Sequence, residues 1–178
     1  MAGPAIQLPS QTEQTCFNLE RWAEILDDPF FAEIEHRIET DRHGQVIMTP
    51  PPSFSHSFRS HGIIRLLNDH LKEGQALHEI PVSTSDGVRA IDAAWLTTEH
   101  LAEARQQQVL LKAPAICVEV LSPRNREAEM REKIALYFDA GATEVWLCDE
   151  DGSLRYFTSP DTEVKQSRLA PDFPSTVE

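Results

Sequence analysis

The chemistry open to this chain centres on Glu119, a carboxylate inside the apolar run Pro114-Ala115-Ile116-Cys117-Val118-Glu119-Val120-Leu121, which Ser122-Pro123 closes. So apolar a run, bounded by prolines, predicts a strand buried on both faces. An ionised carboxylate there is costly unless it is paired, hydrogen-bonded or bound to a metal. Glu119 therefore needs a partner, and two readings stand: a salt-bridged Glu near the strand end, or a metal ligand. Asp92, in a strand-like stretch over residues 88–96, shares a face by alternation with the small residues Ala90 and Ala94. It caps the next turn, or it is a second ligand. Two carboxylates on adjacent strands repel, and a divalent cation between them removes the repulsion. Oxygen donors of this kind suit Mg²⁺ or Mn²⁺ over zinc.

Lys133 falls on the helix that follows Glu119, with Glu129 at i−4 and Tyr137 at i+4. It is either a solvated partner of Glu129, worth little energy, or the cation that reaches the metal site, holds a water and offsets charge on a phosphate. Glu39, two residues before the turn Asp41-Arg42-His43-Gly44, is a further metal or water ligand or an exposed strand residue. His56 and His61 are five apart, not i, i+4, so they form no helical zinc pair. They read as polar-face or phosphate-contacting residues. No Ser-His-Asp signature, glycine-rich phosphate loop or nucleophile elbow is present.

The elements that must position these side chains follow from periodicity and punctuation. A helix is expected over residues 17–28 with Asn18 as its N-cap, after a polar N-terminal segment 1–16. Strands over 37–40 and 45–48 flank the Gly44 turn, and Pro50-Pro51-Pro52 stops their pairing. The spacing of Phe54, Phe58, Ile63, Ile64, Leu67 and Leu71 predicts a helix over 53–73, capped by Gly74. Strands over 76–82 and 88–96, a short helix over 98–107, the Glu119 strand, a helix over 127–140 and strands over 144–149 and 153–158 complete the pattern. A parallel pair around the 127–140 helix would cross over right-handed. The tail, 159–178, is expected to pack along an edge.

A chain of 178 residues, 40% hydrophobic and 25% charged, suits one domain with a sizeable core. A net charge of −13 counts against nonspecific nucleic-acid binding by the whole surface, because phosphate contacts supply most of that affinity. A local basic patch or a metal-bridged phosphate is still allowed. Cys16, Cys117 and Cys148 lack metal-ligand spacing and read as buried small hydrophobes. With no basic-then-apolar leader and no apolar run of membrane length, a cytoplasmic location is the expectation.

At these residues the chain resembles the Putative restriction endonuclease family of the PD-(D/E)XK nuclease superfamily. The resemblance rests on Ile38-Glu39 with the turn at Gly44, Val88-Arg89 leading to Asp92, Val118-Glu119-Val120-Leu121-Ser122-Pro123, Lys133 with Tyr137, and Gly141-Ala142-Thr143-Glu144-Val145-Trp146. It spans nearly the whole chain. It implies an α/β (α+β) fold, a mixed sheet flanked by helices with a restriction-endonuclease-like core, and metal-dependent cleavage of phosphodiester bonds in nucleic acid, expected to be DNA. The implied site is Glu39, Asp92, Glu119 and Lys133, with Mg²⁺ or Mn²⁺ on Asp92, Glu119 and the Val120 carbonyl. Two departures stand out: Ile91 where the superfamily pattern has proline, and Leu121 where it has lysine, a charge Lys133 must then supply from its helix. Two alternatives stand beside it: a catalytically silent nuclease-fold interaction module, as a homodimer, and another metal-dependent hydrolase on the same scaffold.

Overall fold

The computed structural model describes residues 10–34, 37–123 and 125–177. In chain order the elements are α1 (Gln11–Asp27), α2 (Pro29–Ala32), β1 (Arg37–Thr40), β2 (Val46–Thr49), α3 (Phe54–His70), β3 (Gly74–Thr84), β4 (Gly87–Thr97), α4 (Thr98–Ala104), β5 (Ile116–Val120), α5 (Glu127–Asp139), β6 (Glu144–Cys148), β7 (Leu154–Ser159) and β8 (Thr162–Val164). β3 to β8 form one sheet in sequential order, antiparallel except at β5–β6, where α5 makes the crossover between parallel strands. β1 and β2 pair separately as a hairpin. This is a mixed sheet flanked by helices.

Both faces of the large sheet are covered, which is why β5 and β6 are apolar apart from one carboxylate each, Glu119 and Glu144: every residue of each is buried. Ile63 and Leu67 of α3 pack on one face against Trp95, Val118 and Trp146. Met130, Ile134 and Tyr137 of α5 cover the other, against Leu96, Cys117 and Leu147. Cys117 and Cys148 are buried as expected, whereas Cys16 is exposed on α1.

Four local expectations change. α1 starts at Gln11, inside the polar segment and ahead of the start expected at residue 17, because Ser10 and Glu13 form a reciprocal capping box. Asn18 is not its cap: the side chain is buried and its amide donates to Ser83 Oγ and the Thr84 carbonyl, tying α1 to the β3–β4 turn. Phe54 and Phe58 do not share the buried side of α3. Each lies nine residues before a core residue, Ile63 or Leu67, which at about 100° per residue is half a turn out of phase, and both are exposed. Gly74 opens β3 instead of capping α3, where a side chain would collide with the Leu96 carbonyl and the Trp95 ring.

The tail also does more than lie along an edge. β8 is the edge strand, but Ala170, Phe173 and Val177 then enter the core beside Trp146. Glu144 pins it there: its buried carboxylate accepts from Trp146 Nε1, Ser167 Oγ and the backbone N–H groups of Arg168 and Leu169. With four donors, this buried charge is fully satisfied.

One feature of β4 shapes the site. β5 pairs with it only at Ala93, Ala94 and Trp95, so the earlier part of that edge needs other acceptors. Side chains of β1 provide them: Thr40 Oγ1 accepts the Val88 N–H and Glu39 Oε1 the Ala90 N–H, each at 3.0 Å. The hairpin is thereby fixed beside Asp92. Among the described residues no helix is long and apolar enough to cross a membrane.

Candidate active site

Asp92 and Glu119 become neighbours through sheet register. The β4–β5 ladder ends at the pair Ala93↔Val118, and the next step sets Asp92 opposite Glu119. The Asp92 side chain takes over where that ladder stops: Oδ2 accepts the Val120 N–H at 2.7 Å. On its other side, β3 passes Asp92 with Glu79 at a φ of 50°, between the pairs Ile80↔Ile91 and His78↔Ala93. A non-glycine residue in the left-handed region costs on the order of 1 kcal/mol, so the sheet is strained beside this acid.

Every carboxylate oxygen of the cluster faces a cation or a hydrogen-bond donor. Asp92 pairs through Oδ1 with Arg37 Nη1 and through Oδ2 with His56 Nε2 at 3.2 Å. Ser60 Oγ, one turn further along α3, donates to the Asp92 carbonyl. Glu119 accepts Lys133 Nζ on Oε2 at 3.0 Å and the Tyr137 hydroxyl on Oε1 at 2.6 Å. Glu39 Oε1 accepts Lys133 at 3.3 Å and Arg37 at 3.3 Å, and Oε2 lies 3.7 Å from Arg89. Lys133 therefore bridges Glu119 and Glu39; Glu129, its other candidate partner one turn earlier, is exposed and, among the described residues, makes no ion pair with it. α5 turns Lys133 and Tyr137 inward together because they are four residues apart.

The four residues singled out in the sequence thus meet in one network. The sequence pattern does not single out Arg37, and His56, expected on a polar face or against a phosphate, instead holds Asp92. Arg37 was within reach of inference: two residues from Glu39 on a strand, it lies on the same face.

The electrostatics divide the two central acids. Burial works against charge on Asp92, but the His56 hydrogen bond and the Arg37 guanidinium outweigh it and hold its pKa down to about 2. Burial raises Glu119 above the ordinary carboxylate value, and the nearby Asp92 charge adds to the effect against the opposing pull of Lys133. One acid keeps its charge and the other takes a proton more readily, as expected of like charges in a shared dry site. Burial favours the neutral amine of Lys133, yet Glu119 and Glu39 together raise its pKa. It stays an ammonium. Glu39 is lowered despite its burial, by Lys133 and Arg37.

The Tyr137 hydroxyl lets Glu119 stay buried, and burial raises the pKa of that hydroxyl well above the usual phenol value. Tyr137→Phe should lower stability by about 1–3 kcal/mol, the cost of an unmet buried acceptor. Urea unfolding measures it. A change within about 0.5 kcal/mol would mean that Glu119 is satisfied without the hydroxyl.

The chain matches the Uma2 family, described as "Putative restriction endonuclease", over residues 22–177. It belongs to this family. A solved structure of a putative nuclease of the DUF820 group from Anabaena variabilis superposes on this Uma2 chain with a TM-score of 0.69 at 18% identity, covering 86% of this chain and 93% of the other. That likeness supports the fold. No curated protein matches.

Asp92 and Glu119 of this Uma2 chain are chemically suited to a hard divalent cation. They are oxygen donors on adjacent strand positions, buried with only 4% exposure each, and they already draw a guanidinium and an ammonium to themselves. Among the described residues no group of three or more His, Cys, Asp and Glu side chains is arranged to hold a metal. Mg²⁺ does not require one, because it usually keeps several waters and takes one or two carboxylates.

Proposed function

We propose that this protein is a metal-dependent nuclease that hydrolyses phosphodiester bonds in DNA. The observation that carries the reading is the convergence of Asp92, Glu119 and Lys133 from β4, β5 and α5. Asp92, Glu119 and the Val120 carbonyl would hold Mg²⁺ or Mn²⁺, which when bound polarises the scissile phosphate and lowers the pKa of a coordinated water. Lys133 holds its proton too firmly to act as a general base. Its work is to donate a hydrogen bond to the attacking water and to offset negative charge as the phosphorus becomes five-coordinate. Glu39 positions Lys133 from the other side.

Plasmid nicking with Mg²⁺ or Mn²⁺ tests the activity, and calorimetric titration with Mn²⁺ tests the site. Wild type should nick and release heat; Asp92→Ala should not nick, and Glu119→Ala should release no Mn²⁺ heat. Equal nicking by wild type and Asp92→Ala would end the nuclease reading.

A second reading has its own observation. Arg37 and His56 already hold both oxygens of Asp92, as in an ion-pair network that serves only structure. On that reading the protein is a catalytically silent interaction module, as a homodimer, and Mn²⁺ gives no heat with wild type.

A further inference from the structure

α3 presents an aromatic stripe to solvent that packing does not explain. Phe54 is 84% exposed and Phe58 54%, their rings stacked with centroids 5.9 Å apart. His61 and Arg65 continue the same face at helical spacing, and both are exposed. The opposite side of those first turns carries His56 and Ser60 onto Asp92. About one helix diameter, roughly 10–12 Å, separates the aromatic face from the catalytic acid.

The charge around this stripe departs from that of the molecule. The protein has 29 acidic residues in 178, yet residues 42–68 contain no Asp or Glu, while they carry three Arg and three His; two of those arginines pair with acids beyond the stretch, Arg42 with Asp86 and, across the exposed surface of α3, Arg65 with Asp69 at 3.5 Å, a pair open to water that a phosphate can displace. A cleft of about 440 Å³ at the start of α5 sets four acids, Glu127, Asp149, Glu150 and Asp151, against the single cation Arg126. An anion is therefore drawn to the β2–α3 side. A second copy of the chain would bring the same cations face to face, whereas a polyanion meets them with opposite charge.

We infer that the outer face of α3 binds an unpaired segment of nucleic acid, a base stacking on Phe54 and Phe58 and the backbone running past His61 and Arg65. Aromatic stacking beside a cationic track is how single strands are held without sequence readout, and a base paired in a duplex has no free face to offer. The inference rests on the nucleic-acid part of the reading above and narrows the substrate to DNA with an unpaired stretch next to the cut.

The test is fluorescence anisotropy in EDTA, which requires neither metal nor cleavage. The probes are labelled oligothymidylate, an abasic oligomer of the same length and charge, and a duplex. Wild type should bind oligothymidylate at least about tenfold more tightly than either of the others. Phe54→Ala/Phe58→Ala should lose that preference with an unchanged melting temperature, since neither ring is in the core. Arg65→Gln should weaken oligothymidylate and the abasic oligomer alike, as a phosphate contact does. Equal binding of abasic and oligothymidylate strands by wild type overturns the proposal, as does a preference that survives the double substitution. So does a dimer that becomes monomeric in the double variant by sedimentation, which makes the stripe a subunit interface. A protein that stacks the strand but never nicks keeps this inference and loses the nuclease reading; one that nicks without base preference does the reverse.

Discussion

Replacing Lys133 by Met should slow Mg²⁺-dependent nicking by about 10²–10³-fold, the usual loss when one preorganised charge is removed from a developing anion. The reason lies in what Lys133 touches. Among the described residues it is the only cation that bridges Glu119 and Glu39, and it approaches from α5, whereas Arg37 and His56 reach Asp92 from β1 and α3. A second readout separates electrostatic work from mere support of the fold. Without the ammonium, burial and Asp92 would push the Glu119 pKa further up, because Lys133 is the main influence lowering it. Mn²⁺ binding would then have to displace a proton from Glu119. The affinity of Lys133→Met for Mn²⁺ should therefore fall near neutral pH and recover as pH rises, with more protons released per ion bound. Lys133→Arg keeps the charge and should restore the pH profile more fully than the rate, since a guanidinium cannot occupy the position of the ammonium. Loss of nicking with an unmoved pH profile would mean that Lys133 does not act on Glu119.

Most of the framework was legible because its signals are local. Short, largely apolar runs mark β5 and β6, glycine and proline mark the hairpins, and i, i+4 spacing places Lys133 and Tyr137 on one side of α5. The errors share a physical cause: a pattern was matched without its phase or its partners. Phe54 and Phe58 have helical spacing between themselves but stand half a turn from Ile63 and Leu67. Asn18 has the chemistry of a cap, and only its distance from the β3–β4 turn, 65 residues along the chain, reveals that it is a tertiary bridge. The Ser-x-x-Glu spacing of Ser10 and Glu13 is a local capping-box signal that marks the start of α1. At the site, residue types could nominate Asp92, Glu119 and Lys133. Strand alternation puts Arg37 beside Glu39, but no sequence rule reveals that it also reaches Asp92, because that meeting spans 55 residues and depends on how β1 covers the open edge of β4.

Arg37 sets the second large effect: Arg37→Gln should raise the affinity for Mn²⁺ by roughly 10- to 100-fold. The guanidinium donates to Asp92 Oδ1 and Glu39 Oε1, and a cation can take that Asp92 oxygen only after it leaves. Hydrogen bonds to charged groups are worth about 1.5–3 kcal/mol each, and breaking the one to Asp92 subtracts from the observed binding energy. Glutamine keeps a donor but gives up the charge. His56→Ala should act in the same direction and less strongly, because the His56 contact is longer and Asp92 keeps Arg37. Stability must move the opposite way. Without a metal, Arg37→Gln leaves Asp92 buried at 4% exposure without its guanidinium charge, so its melting temperature should fall below that of wild type. Saturating Mn²⁺ should then recover more stability in the variant than in wild type, since a ligand at 100 times its dissociation constant contributes about 2.7 kcal/mol. The two measurements together discriminate between roles. If Arg37 only holds Asp92 in place, its removal lowers both stability and Mn²⁺ affinity; if it occupies the seat of the cation, stability falls while affinity rises.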